Sequence, residues 1–180
     1  MIGVGGQGIG LLSETLIRAF DYTKAPVIGV DTHGLAQRGG TVISHLRVGP
    51  DPHSPLIRAG RADLVIALER HEALRGMQTQ LRPGGQLVYY DAEWQPLAVR
   101  LRKAERVTPE QIAEAGKKQN ATLHRVFDET LSDPRMQNVA VIAYMVKNRL
   151  LPGVDKGHIE RALSELLDGL TLQKNLDLLR

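Results

Sequence analysis

Near its start the chain passes from a short apolar run, Met1-Ile2-Gly3-Val4, through a glycine-rich turn, Gly5-Gly6-Gln7-Gly8, into a stretch where Leu12, Leu16 and Phe20 recur at helical spacing. A strand that enters a helix through such a turn is the opening unit of an α/β fold, because glycine lets the backbone bend tightly and the helix pack back on the strand. Residues 3–8 also satisfy G-x-G-x-x-G. Backbone N–H groups in the turn, with roughly half a positive charge at the helix N-terminus, suit an anion. A structural role, in which the glycines only allow close packing of helix on strand, is the alternative. The strand is short for a buried one, and part of it is expected to precede Met1.

The rest of the chain repeats the alternation. Apolar or alternating runs predict strands at 27–30, 41–48, 62–68, 86–90 and 121–127. Helical patterns cover 9–20, 69–81, 108–116, 138–150 and 158–167, with charged, mixed pieces at 98–106. Thr108-Pro109-Glu110-Gln111 has the form of a helix start, and Pro83-Gly84-Gly85 that of a helix stop. Together these predict a three-layer α/β/α domain with a mostly parallel, Rossmann-like sheet. A single domain over residues 1–180 is expected, its C-terminal helices from about 138 onward reaching toward a partner and its tail after Leu170 extending from the body. With 4% aromatic residues in a chain that is 42% hydrophobic, the core must be largely aliphatic.

Composition closes several classes. There is no cysteine, so this chain holds no disulfide, thiol nucleophile or cysteine-ligated cluster. The six histidines are scattered without ligand spacing, and no metal site is expected. No apolar run reaches the ~18 residues of a membrane span, and no signal peptide is seen, so the expected location is cytoplasmic. The net charge of +3 is spread without a basic stripe, which argues against nucleic acid as partner.

A second polar loop, residues 31–41, gathers Asp31, His33, Gln37 and Arg38 beside Gly34, Gly39 and Gly40. In a doubly wound sheet it leaves the carboxyl ends of the strands, where ligands bind. Arg38 offers a planar fork to phosphate or carboxylate, Gly39 and Gly40 offer backbone N–H groups, and His33 titrates near neutrality. The candidate ligand-binding set is therefore Gly5, Gly6, Gln7, Gly8, Gln37, Arg38, Gly39 and Gly40, with His33 the candidate catalytic group. A polar loop that only docks another subunit fits the same residues. Asp31 stands near where a dinucleotide fold keeps its ribose-binding acid, so an NAD(P)-dependent oxidoreductase stays open, although no hydride-transfer constellation or substrate domain accompanies it. Elsewhere, Glu72 reads as an acid suited to a helix N-terminus and Glu69 stays open. His45 reads as a satisfied, partly buried residue, Met136 and Met145 as core, and Lys117, Lys118 and Arg125 as solvated surface. Trp94 is a candidate interface anchor.

The pair GVGGQGIG (3–10) and THGLAQRGGTVISHLRVG (32–49) resembles the gamma-type subunit of 2-oxoacid:ferredoxin oxidoreductases, and within that family the small-subunit branch of the indolepyruvate enzymes. SPLI (54–57), GRADLVIALERHEALR (60–75) and PGG (83–85) follow in the family's order, and residues 134–138 match more weakly. The resemblance implies an accessory subunit without a redox centre, inactive alone. The complex would oxidatively decarboxylate an aryl 2-oxoacid such as indolepyruvate to an acyl-CoA. It also implies a partner subunit carrying thiamine diphosphate, magnesium and [4Fe-4S] clusters, with ferredoxin as electron acceptor. This chain would help handle coenzyme A and close the active site. No glycine-aspartate-glycine motif followed by asparagine, the usual magnesium–diphosphate arrangement, occurs here.

Overall fold

The computed structural model describes residues 1–32, 40–50, 52–94, 105–131 and 133–180. Strands β1 (Ile2–Val4), β2 (Val27–Thr32), β3 (Thr41–Val48), β4 (Ala62–Ala67), β5 (Leu81–Tyr90) and β6 (Thr122–Val126) form one sheet in the order β2-β3-β1-β4-β5-β6. β4, β5 and β6 continue parallel to β1, while β3 runs antiparallel to both of its neighbours, β1 and β2. All strands but β3 therefore point the same way. The physical reason for the reversal is connection length. Residues 33–40 are too few for the crossover of a dozen or more residues that a parallel return requires.

The helices are α1 (Ile9–Tyr22), α2 (Arg70–Thr79), α3 (Pro109–Gln119), α4 (Gln137–Lys147), α5 (Lys156–Leu166) and α6 (Gly169–Asp177). Successive strand residues face opposite ways, and each face gathers its own helices. Leu12, Leu16, Val139, Ile142, Met145, Ile159 and Leu163 from α1, α4 and α5 pack with Ile66, Val88, Tyr90 and Val126. Ala73, Met77 and Ile112 from α2 and α3 pack with Ile2, Val65, Leu87 and Tyr89 on the other face. These are the three layers that the alternation predicts, with an aliphatic core. Each fully buried Leu or Ile contributes about 1.5–3 kcal/mol of apolar transfer.

The structure departs from the sequence reading in two places. Pro83-Gly84-Gly85 lies inside β5: Leu81 already pairs with Ala62, and the register shifts before Leu64 meets Gln86, so the tripeptide forms an irregularity within the strand. The tail folds back. α6 places Leu172 and Leu176, and Leu178 beyond it, against the larger core cluster, although Leu170 is 81% exposed. At α3 the expected start is present: Thr108 Oγ1 accepts from the Gln111 N–H at 3.3 Å, and Gln111 Oε1 accepts from the Thr108 N–H at 2.9 Å.

Candidate functional site: a rim at the carboxyl ends of the strands

The ends of β1, β2, β4, β5 and β6 share one edge of the sheet with the start of β3. At its centre the glycine turn meets the second loop directly. The Gly5 N–H donates to the Gly40 carbonyl at 2.9 Å, continuing the β1–β3 ladder by one step beyond Val4↔Thr41. The two bends therefore lie on a single rim.

Inside the turn each residue has a distinct task. Gln7 is fully buried: its Oε1 accepts from the Val4 N–H at 2.7 Å and its Nε2 donates to the Leu68 carbonyl at 3.1 Å. Its side chain is thus committed to joining the ends of β1 and β4. Gly8 is the residue before the first turn of α1 and adopts φ +81, a left-handed conformation. A Cβ there would sit 2.4 Å from Asn138 Nδ2, which donates to the Gly8 carbonyl at 3.1 Å. Gly6, at φ +100, is exposed and faces open space. No side chain caps α1 and its first turn carries no acid. The leading amides of α1 are therefore left for water or an anion. Gly6 and Gly8, both at positive φ, thus lead into the uncapped first turn of α1, with Gln7 holding the turn from within.

Of the second loop, Gly40 is described and takes part in the contact above. His33, Gln37, Arg38 and Gly39 lie outside the described residues. Asp31 accepts from Ser13 Oγ at 2.9 Å, which ties β2 to α1. Because β3 stands between β2 and β1, Asp31 is one strand further from the glycine turn than the acid of a dinucleotide fold, whose β2 adjoins β1.

Further along the rim the structure assembles groups that periodicity does not bring together. Asn138 is 130 residues from Gly8 in sequence. Glu69, fully buried, caps α2 by accepting from the Glu72 N–H, and its other oxygen lies 3.1 Å from His71 Nδ1. His71 Nε2 lies 3.3 Å from the Val107 N–H and the Glu105 carbonyl, so this imidazole joins α2 to the segment before α3. Glu72 is buried too. It accepts from Thr41 Oγ1 at 2.9 Å, and burial pushes its carboxyl above the usual range, against the opposing pull of that bond and of Arg75. This pins the start of β3 to α2, a larger role than suiting a helix dipole.

Asp91, just beyond β5, is buried between Arg70 and Arg125; Arg125 Nε donates to it at 2.6 Å. Burial alone would raise the Asp91 carboxyl, but the hydrogen bonds and charges of the two guanidinium groups prevail and hold it below its usual range. Arg125 is thus half-exposed and paired, rather than simply solvated surface. His45, by contrast, is satisfied as expected: Nδ1 accepts from the Ile57 N–H at 3.3 Å, and burial lowers its pKa. Trp94 and Phe127 stand exposed beyond β5 and β6. Among the described residues no cluster of His, Asp and Glu is arranged to hold a metal ion. Nor, among them, is any helix long and apolar enough to cross a membrane.

Comparison with known proteins follows the same lines. The family model described as pyruvate ferredoxin/flavodoxin oxidoreductase matches residues 1–180. Indolepyruvate oxidoreductase subunit IorB of Archaeoglobus fulgidus is 49% identical over 75 residues, which are 42% of this chain and 37% of that relative. The chain thus spans well under half the length of that curated relative. The gamma subunit of the keto/oxoacid ferredoxin oxidoreductase from Geobacter sulfurreducens shares the fold, with a TM-score of 0.67 at 18% identity over 99% of this chain and 90% of its own. So does 2-oxoglutarate:ferredoxin oxidoreductase from Magnetococcus marinus, solved with 2-oxoglutarate, coenzyme A and succinyl-CoA bound. Its TM-score is 0.62 at 15% identity, over 99% of this chain and 28% of that one.

Proposed function

Because this chain belongs to the pyruvate ferredoxin/flavodoxin oxidoreductase family, we propose that it serves as the gamma-type small subunit of a 2-oxoacid:ferredoxin oxidoreductase. Indolepyruvate or a related aryl 2-oxoacid is the proposed substrate. In this reading the acid loses carbon dioxide, its electrons pass to ferredoxin and its acyl group goes to coenzyme A. The thiamine diphosphate, magnesium and [4Fe-4S] clusters belong to the partner subunit, and this chain handles coenzyme A and helps close the active site in a cytoplasmic hetero-oligomer.

The observation that carries the reading is the Gly5 N–H to Gly40 carbonyl bond, which sets the root of the Arg38 loop beside the uncapped start of α1. The residues present fit a phosphate-bearing ligand: exposed Gly6 leaves room for close approach, and the amides of the first turn of α1 face the same space. Coenzyme A, when bound, supplies the thiol that accepts the acyl group. This chain's part is to bind and orient the phosphate end. Gly6, Gly8 and the first turn of α1 offer N–H donors. Gln37, Arg38 and Gly39 supply charge and further donors from the loop. Gly5, Gln7 and Gly40 fix the geometry. His33 is the loop's candidate proton-transfer group.

Arg38→Ala in the reconstituted complex is expected to raise the apparent KM for coenzyme A about tenfold or more, the loss of one charge-assisted contact, with kcat largely kept. An unchanged KM removes Arg38 from the ligand role. If the loop only docks the partner, the same substitution weakens assembly and leaves the coenzyme A response of the remaining complex intact. Binding of NADH to the isolated chain would overturn the reading in favour of a nicotinamide enzyme.

A further inference from the structure

The glycine turn takes its final shape from a residue far away in the sequence. The Gly8 carbonyl accepts twice: from the Leu12 N–H at 3.0 Å, the first bond of α1, and from Asn138 Nδ2 at 3.1 Å. A carbonyl has two lone pairs, so both are taken. In a planar trans peptide the next N–H points opposite to the carbonyl. Fixing the Gly8 carbonyl along α1 therefore fixes the Ile9 N–H outward from the start of that helix. Ile9 is the first residue of α1, and its N–H is one of the donors that a helix leaves unpaired. Gly8 has no Cβ to restrict its left-handed φ of +81, so the second grip on its carbonyl comes from outside, from Asn138.

Asn138 is itself held. It is buried, and its Oδ1 accepts from the Val139 N–H at 2.8 Å, so the amide presents its nitrogen to Gly8. It is the second residue of α4, so the starts of α1 and α4 meet at this bond. These two helices differ from the rest. α2 starts on Glu69, α5 on Asp155 and α6 on Asp168, and α3 carries Glu110 in its first turn. Neither α1 nor α4 has a side-chain cap or an acid in its first turn. Helix electrostatics favours a carboxylate at such a junction, and Asp has nearly the shape of Asn. An Asp would lack the donor for Gly8 and would neutralise the positive ends of both helices. Asn meets the carbonyl and leaves that field uncompensated. The neighbouring Gln137 points the same way: it is buried, and its Nε2 has no hydrogen-bond partner among the described residues, although nearly all buried donors find one.

We infer that Asn138 is a positioning residue for the anion end of the site. Its amide holds the Gly8 carbonyl so that the first N–H groups of α1 face the ligand, and its neutrality leaves the positive ends of α1 and α4 to that ligand. The inference rests on the reading of this rim as the place where the phosphate end of coenzyme A binds, and adds to it the residue that shapes the turn. Asn138 acts through Gly8, without touching the ligand. A purely structural tie between α1 and α4 has a different consequence: any replacement would loosen the packing, and the charge of the new side chain would not matter to binding.

Asn138→Ala and Asn138→Asp in the reconstituted complex separate the two. Asn138→Ala is expected to raise the apparent KM for coenzyme A about fivefold, the loss of one orienting hydrogen bond. Asn138→Asp is expected to raise it about tenfold further, because a negative charge then occupies the two helix starts. Both changes fall on KM rather than kcat. Equal KM for the two variants, or a fall in kcat with KM unchanged, overturns the inference. Should either variant fail to assemble, inorganic pyrophosphate is titrated into the isolated full chain while the amide shifts of Ile9 and Gly10 are followed. Wild type is expected to saturate about tenfold or more below Asn138→Asp; equal midpoints, or no shift in wild type, overturn the inference. Arg38→Ala tells the two failures apart. If it raises KM while both Asn138 variants leave it unchanged, only the role of Asn138 falls. If none of the three moves it, the reading of the rim falls as well.

Discussion

Single residues set the geometry of the rim, and the most instructive is Gln7. Its type and place in the glycine turn made it a candidate ligand contact. Its buried amide instead satisfies Val4 and Leu68, and the second partner, 61 residues away, is invisible to any local pattern. Gln7→Leu keeps the volume but orphans one donor and one acceptor, so a loss of about 2–4 kcal/mol is expected in denaturant titration. A loss under half a kcal/mol would show that water replaces the amide. Gly8→Ala meets both a left-handed φ and Asn138 Nδ2; a cost of about 1–3 kcal/mol is expected in the same titration.

Among elements, the periodic ones were legible and the irregular ones were not. β3 at 41–48 is where alternation placed it, and α1, α4 and α5 follow their apolar stripes to within a few residues. The direction of β3 was also recoverable, since no helix fits between it and β2. The bulge at Pro83-Gly84-Gly85 was not, because the same tripeptide ends helices and kinks strands; only pairing with β4 distinguishes them. The Asp91 cluster was hidden for a similar reason: Arg70, Asp91 and Arg125 come from three elements that only the sheet order brings together. Asp91→Ala leaves two guanidinium groups without their carboxylate, so a loss of about 2–3 kcal/mol is expected, discounted for the exposure of Arg125. The wild-type contribution is present above the ordinary carboxylate pKa of 3.8 and is lost as pH falls through the lower folded value. Comparing acid unfolding of Asp91→Ala with wild type measures it: the gap should close as the solution is acidified.

At the scale of the whole molecule, three layers and two aliphatic clusters were implied by alternation, and the structure supplies them. The candidate site was legible only as two loops. That they touch depends on β3 lying beside β1, a tertiary fact. α6 belongs to the body, so deleting residues 169–180 is expected to uncover Leu163 and its neighbours and to lower Tm by well over the few degrees typical of a surface change; an unchanged Tm would assign that helix to a partner instead. Reversing a single strand has a further effect. It makes β2 and β3 the paired arms of a hairpin, joined through residues 33–40 at the rim. A hairpin tip can gain or lose residues while the paired arms keep their register. Changes of length within residues 33–39 are therefore expected to leave the β2–β3 register, and the scaffold beneath it, as they are.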